Sequence, residues 1–114
     1  MNDNPTAKPD FHSIDMRVGT VLTAEPFIGA RKPAIKLTID FGPEIGVKRS
    51  SAQLTVHYTP EQLIGRKIIA AVNLGTRRIA TFDSEVLVLG AMPTQTEVIL
   101  LQADRDVANG TRIG

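Results

Sequence analysis

An all-β barrel of five strands, interrupted by short helical turns, is the fold class that three features of this 114-residue chain predict. Apolar and polar residues alternate with a period of two. Gly, Pro and Asn recur at short intervals between the alternating runs, and one capped helix signature lies between the third run and the fourth. A chain of this length is expected to form one domain around a single core.

The elements follow in order. Residues 1–9 are polar and Pro-containing and read as a flexible lead-in, leaving residues 10–114 as the folded domain. Asp10 is placed to cap a short helical turn running to Ile14. Strand one spans Met16 to Glu25. In strand two, Ile35, Leu37, Ile39 and Phe41 alternate with Lys36, Thr38 and Asp40, as a half-buried antiparallel strand requires. Gly42-Pro43-Glu44-Ile45-Gly46 reverses the chain. Strand three runs from Val47 toward Thr55, but Lys48-Arg49-Ser50-Ser51-Ala52-Gln53 puts small and polar residues where inward apolar ones are due, which predicts a bulge or a site. Thr59 as N-cap, Pro60 in the first turn, Gln62 in the capping-box position and Gly65 as terminator define the helix. Lys67 to Leu74 is strand four and Glu85 to Gly90 strand five. Glu97 to Leu101 continues strand five or pairs with it, and Asn109-Gly110 makes a last turn. Five strands with a helix between the third and fourth is the plan of the OB-fold, which binds ligands through strands two and three and the first-to-second and fourth-to-fifth loops.

Charge is gathered in the middle of the chain. Residues 26–82 hold nine Lys and Arg against three carboxylates, and the rest of the chain holds four against nine, for a net charge of only +1. Most of the central cations form doublets: Arg31-Lys32 in the first-to-second loop, Lys48-Arg49 in strand three, Arg66-Lys67 at the helix exit and Arg77-Arg78 in the fourth-to-fifth loop. All but Arg66-Lys67 fall where an OB-fold meets its ligand, so one face should attract anions. The candidate RNA- or peptide-binding residues are Arg31, Lys32, Lys36, Lys48, Arg49, Ser51, Gln53, Asn73, Arg77, Arg78, Ser84 and Glu85. Ser51 and Gln53 are short neutral donors in the broken strand. Asn73 and the Ser84-Glu85 pair read equally as groups that tie strand four to the loop after it.

Several functions are excluded. His12 and His57 have no Cys and no carboxylate at a useful spacing, no Gly-x-Ser-x-Gly elbow surrounds Ser50-Ser51, and no Gly-rich phosphate loop follows a strand. The chain reads as a non-enzyme with no cofactor and no metal. Cysteine is absent, and neither the polar N-terminus nor any later run has membrane-spanning or signal character, so a cytoplasmic protein without membrane insertion is expected. Strands four (Ile68 to Val72) and five (Val86 to Leu89), with Val98 to Leu101, are apolar on both faces, which predicts a homodimer that buries the outer faces.

Asp15-Met16-Arg17-Val18-Gly19-Thr20-Val21, Leu63-Ile64-Gly65-Arg66 and Val72-Asn73-Leu74 resemble the signature blocks of the tRNA-binding domain that occurs free-standing or fused to aminoacyl-tRNA synthetases. Ala30-Arg31-Lys32-Pro33-Ala34, Ile39-Asp40-Phe41-Gly42, Lys48 to Gln53 and Ser84 to Gly90 are similar to the free-standing, export-related chaperones of that family. The resemblance runs from about Phe11 to Gly114. It implies a homodimeric OB-fold that binds unfolded or export-destined polypeptides, built on a tRNA-binding module. Two function classes are therefore expected: a chaperone capturing polypeptide on apolar surface beside the dimer seam, and an RNA-binding module whose basic loops clasp tRNA phosphates. With four Phe, one Tyr and no Trp, stacking on single strands is disfavoured.

Overall fold

The clean alternation of strand two becomes its burial pattern. In the computed structural model, which describes residues 10–114, Ile35, Leu37 and Ile39 are buried and Lys36, Thr38 and Asp40 half-exposed along β2 (Ile35–Asp40). The lead-in of residues 1–9 lies outside the described residues. Asp10 accepts from the His12 amide at 2.9 Å and caps a turn of 3-10 helix over Phe11–Ser13.

β1 (Met16–Pro26) pairs antiparallel with β2 through its second half and with β4 (Lys67–Ala71) through its first. β3 (Val47–Ala52) flanks β2, and β7 (Leu87–Val88) flanks β4, so the sheet order is β3-β2-β1-β4-β7. Gly19 lets the sheet curl, since a Cβ there would lie 2.7 Å from Ile39 Cγ2 and 2.8 Å from the Phe41 ring. α1 (Pro60–Leu63) closes one end, with Gln62 Oε1 accepting from the Thr59 amide at 3.0 Å and Leu63 fully buried among Leu37, Phe41, Leu54, Ile68 and Val86.

The bulge expected in strand three is absent there. β2 and β3 pair without a break from Asp40↔Val47 to Ile35↔Ala52, and the register shift lies in β1, between Val21 and Thr23. The small residues of β3 serve closure instead. Residues 84–86 run against its free edge, where Glu85 N–H donates to the Arg49 carbonyl (2.8 Å) and Arg49 N–H to Glu85 Oε1 (2.9 Å). Ser51 N–H donates to Ser84 Oγ (3.0 Å), and buried Ser50 donates through Oγ to the Val86 carbonyl (3.0 Å). A bulky side chain at position 50 would hold that segment off.

Strand five is broken up accordingly. A hairpin, β5 (Arg77–Ile79) with β6 (Phe82–Ser84), fills what the sequence presents as a loop. After β7 the chain continues into β8 (Gly90–Ala91), which pairs with β9 (Ile99–Leu100), as the pairing of residues 97–101 with strand five anticipates.

The outer face of β4 is covered by the chain itself. Val18, Lys67, Ile69 and Ala71 share that face, and residues 102–107 lie over Val18 and Lys67, with a half-open cleft of about 250 Å³ between them. Lys67 donates to the Val107 carbonyl at 2.6 Å, and Ile69 and Ala71 on the same face are buried within the single chain. Exposed apolar surface remains elsewhere, at Leu87, Met92, Ile99 and Leu101.

Candidate functional site

Where β3 ends and the chain leaves β7, the barrel stands open. The opening is a cavity of about 840 Å³ between the loop after β1, the end of β3, the β5–β6 hairpin and residues 87–92. Phe27 N–H donates to the Ala34 carbonyl at 3.0 Å, which pinches the 28–33 loop and carries Arg31 and Lys32 to the cavity wall. Arg77, at the start of β5, stands on the same wall. Leu54, Leu87, Val88, Met92 and Val98 supply apolar lining, Ser51 and Gln53 supply polar groups, and among the described residues no carboxylate lines the space. Arg31, Lys32 and Arg77 are exposed and form no salt bridge with the described residues. Three uncompensated cations beside a low-dielectric wall focus positive potential on the mouth.

The structure thus brings five of the twelve sequence candidates together: Arg31, Lys32, Ser51, Gln53 and Arg77. Two others share a neighbouring outer face. Lys36 Nζ lies 5.5 Å from the Phe27 ring and 5.6 Å from the Phe82 ring, and Arg49 stands 5.6 Å from Phe82. Lys36 is also held by Glu25 at 3.0 Å, and Arg49 by Glu85 at 3.5 Å and Asp83 at 3.8 Å. Arg78 is paired with Asp83 at 2.8 Å. Lys48 faces away from these residues, opposite Ile39 in the β2 register.

The remaining candidates are used by the fold. Asn73 does not tie β4 to the following loop; it accepts from the Asp15 amide (2.9 Å) and donates to the Ser13 carbonyl (2.8 Å), fixing the N-terminal turn. Ser84 and Glu85 hold β3, not β4. His57 has a carboxylate after all: its Nε2 lies 2.8 Å from Glu97 Oε1, and hydrogen bonds from His57 and Thr94 hold the Glu97 carboxyl below its usual range. Tyr58 Oη accepts from the Leu100 amide at 3.1 Å, so residues 57 and 58 together anchor the β8–β9 arm. Among the described residues no three His, Cys, Asp or Glu side chains gather as a metal site would require. The sequence reading missed Met92 and Ile79 in the cavity wall. Nothing in their local pattern distinguishes them, whereas Leu87 and Val98 fall in the runs that read as apolar on both faces.

The profile of the family described as "Putative tRNA binding domain" matches residues 16–112. The chain is 34% identical over 104 residues to the methionine–tRNA ligase of Methanococcoides burtonii and 36% identical over 104 residues to that of Bdellovibrio bacteriovorus. Those matches take in 91% of this chain but 15% of each ligase, so the likeness is to one part of those enzymes. Among solved structures, chaperone CsaA from Bacillus anthracis str. Ames is 51% identical, covers 95% of this chain and 100% of its own, and superposes with a TM-score of 0.87. The CsaA chaperone protein from Picrophilus torridus is 48% identical over 92% of this chain and 95% of its own, with a TM-score of 0.85. A MetRS-related protein from Pyrococcus horikoshii is 28% identical over 96% of this chain and 100% of its own, with a TM-score of 0.81.

Proposed function

Because the chain belongs to the tRNA-binding-domain family and is similar over nearly its whole length to CsaA chaperones, we propose that it is a chaperone for unfolded or export-destined polypeptides, built on a tRNA-binding OB-fold and without catalytic activity of its own. The observation that carries this reading is the cavity of about 840 Å³: its apolar lining suits side chains that an unfolded polypeptide exposes, and its basic mouth favours segments with acidic neighbours. The working form is a cytoplasmic homodimer. Exposed Ile99 and Leu101, outside the cavity lining, support the dimer, in place of the face of β4 that the chain already covers.

A second reading, tRNA binding through phosphates and shape, rests on the family and on the same three cations. Lys36 and Arg49 against Phe82 add hydrogen-bond donors along the outer face of β2 and β3, where Glu25, Asp83 and Glu85 already balance their charge. The two classes that the sequence assigns to separate surfaces converge on one cavity. Titrating the purified protein with total tRNA and with a chemically unfolded protein across a salt series tests both. Protection of the unfolded protein, weakly salt-dependent, supports the chaperone. Steep salt dependence of the tRNA affinity, with no protection, would replace it with the RNA reading.

A further inference from the structure

The cavity has two walls of strand edge, and the hydrogen bonds across the barrel seam stop where it begins. On β3, Arg49 and Ser51 turn their backbone groups away from β2, and the Arg49 amide and carbonyl are met by Glu85 and the Ser51 amide by Ser84. The next groups on that edge, the Ser51 carbonyl and the Gln53 amide, have no hydrogen-bond partner among the described residues. The opposing wall repeats the pattern. Leu89 N–H donates to the Ile69 carbonyl at 2.9 Å, so residues 87 and 89 face β4 and Val88 faces the opposite way. The Val86 carbonyl is met by Ser50 Oγ, but the Val88 N–H and carbonyl have no partner among the described residues.

Local sequence drives the two edges apart. Leu54 N–H turns back to the Ala52 carbonyl at 2.9 Å and ends β3 in a tight turn at Gln53. On the other side Gly90 admits Val98 closely, since a Cβ at position 90 would lie 2.4 Å from Val98 Cγ1, and this draws residues 90–91 off toward β9. Strand edges left unpaired are costly and invite pairing with another chain. Here they line a cavity with apolar side chains on its walls and cations at its mouth.

We infer that an extended polypeptide bearing apolar residues and acidic flanks binds in this cavity as an added β-strand, its main chain pairing with the open edges at Ser51–Gln53 and at Val88. The inference rests on the polypeptide-binding reading above and specifies its mode. Main-chain pairing supplies affinity independent of side-chain identity, as a chaperone with many clients requires, while alternate side chains meet Leu87, Met92 and Val98. The acidic flanks answer Arg31, Lys32 and Arg77 in a cavity that no carboxylate of the described residues lines.

The test uses a fluorescent ten-residue peptide of alternating Val and Thr ending in Glu at both ends, with two further versions N-methylated at every odd or every even residue. Methylation deletes the donors along one edge of the peptide and leaves its side chains in place. At least one methylated version should bind tenfold or more weakly than the parent. Both versions binding within twofold of the parent would overturn the added strand while leaving polypeptide binding standing. Failure of the parent peptide and of unfolded protein to bind at all would overturn both readings. On the protein, Gln53→Pro removes one edge donor that no ladder bond uses, so peptide affinity should fall several-fold with the melting temperature and assembly state unchanged. If Gln53→Pro instead dissociates a dimer and leaves peptide affinity as it was, the edge belongs to a second copy and the inference falls. A peptide ending in Lys that binds as tightly as the Glu version would refute the choice of an acidic occupant.

Discussion

Replacing Arg31, Lys32 and Arg77 together by Glu interrogates the cavity without disturbing the fold that forms it. All three side chains are exposed and unpaired among the described residues, so their removal strands no buried partner, and the variant should unfold within about 0.5 kcal/mol of the parent. For tRNA, pairing one cation with one phosphate is worth on the order of 1 kcal/mol, so removing three cations costs about 3 kcal/mol, roughly a hundredfold in affinity before repulsion is added. The slope of log affinity against log salt should flatten by roughly 2 to 3 for each subunit. Anisotropy of labelled tRNA across a salt series reads both quantities, and light scattering of a heat-unfolded client reads chaperone activity in the same preparations. Because the cations and the apolar wall line one cavity, client protection should weaken alongside tRNA binding. An unchanged salt slope would place tRNA elsewhere on the molecule. Loss of tRNA with client protection fully retained would refute the shared cavity.

Four other outcomes are expected. Ser84→Ala leaves the Ser51 amide at the barrel seam without its acceptor and should cost about 1–3 kcal/mol in urea unfolding, and more if the seam parts. Leu87→Asp with Met92→Asp charges exposed positions of the cavity wall, so folding should persist by circular dichroism while suppression of aggregation is lost. Ala80 holds a left-handed backbone (φ 53°) in the β5–β6 turn, and Ala80→Gly should stabilise the hairpin by about 0.5–1 kcal/mol in thermal unfolding. Asp15 sits 2.6 Å from Arg17, whose hydrogen bond holds the carboxyl below its ordinary value of 3.8. The lower value belongs to the folded state, so this pair contributes stability above about pH 3.8 and loses it as pH falls through the depressed value; Asp15→Asn should flatten the acid limb of stability against pH.

What could be read from the sequence was whatever local chemistry decides. Ile35, Leu37, Ile39 and Phe41 announce a strand because one face of it must be dry, and Thr59, Pro60, Gln62 and Gly65 announce a helix because each answers a local backbone need. The order of strands and the place of the helix then follow. The rest depends on partners distant along the chain. Ser50 interrupts an apolar pattern because its hydroxyl meets a carbonyl 36 residues away, and a local reading can register only the interruption. The β5–β6 hairpin was hidden because Ala80-Thr81 is a turn without Gly, Asn or Asp, its backbone forced by the strands on either side. The cover over β4 was hidden as well, because residues 102–107 carry no apolar run that would mark them as lying over Val18 and Lys67.

The doublets illustrate the same division. Adjacent residues on a strand point to opposite faces, so a pair of charges written side by side is separated as soon as the chain extends. Lys48 and Arg49 part in this way, Arg49 going to the Phe82 ring and its carboxylates and Lys48 to the opposite side of β3. Arg77 and Arg78 part as well, one to the cavity and one to Asp83. Arg66 and Lys67 separate at the entry to β4, Arg66 lying 5.1 Å from the Tyr58 ring and Lys67 donating to the Val107 carbonyl. Arg31 and Lys32 stay together because they lie in a loop, which imposes no alternation. The charge that reaches the cavity is therefore one whole doublet and half of another. That is a smaller field than the sequence count suggests, but it is set where the barrel's hydrogen bonding is unfinished, and there a few cations beside open strand edges can select a chain by both its charge and its backbone.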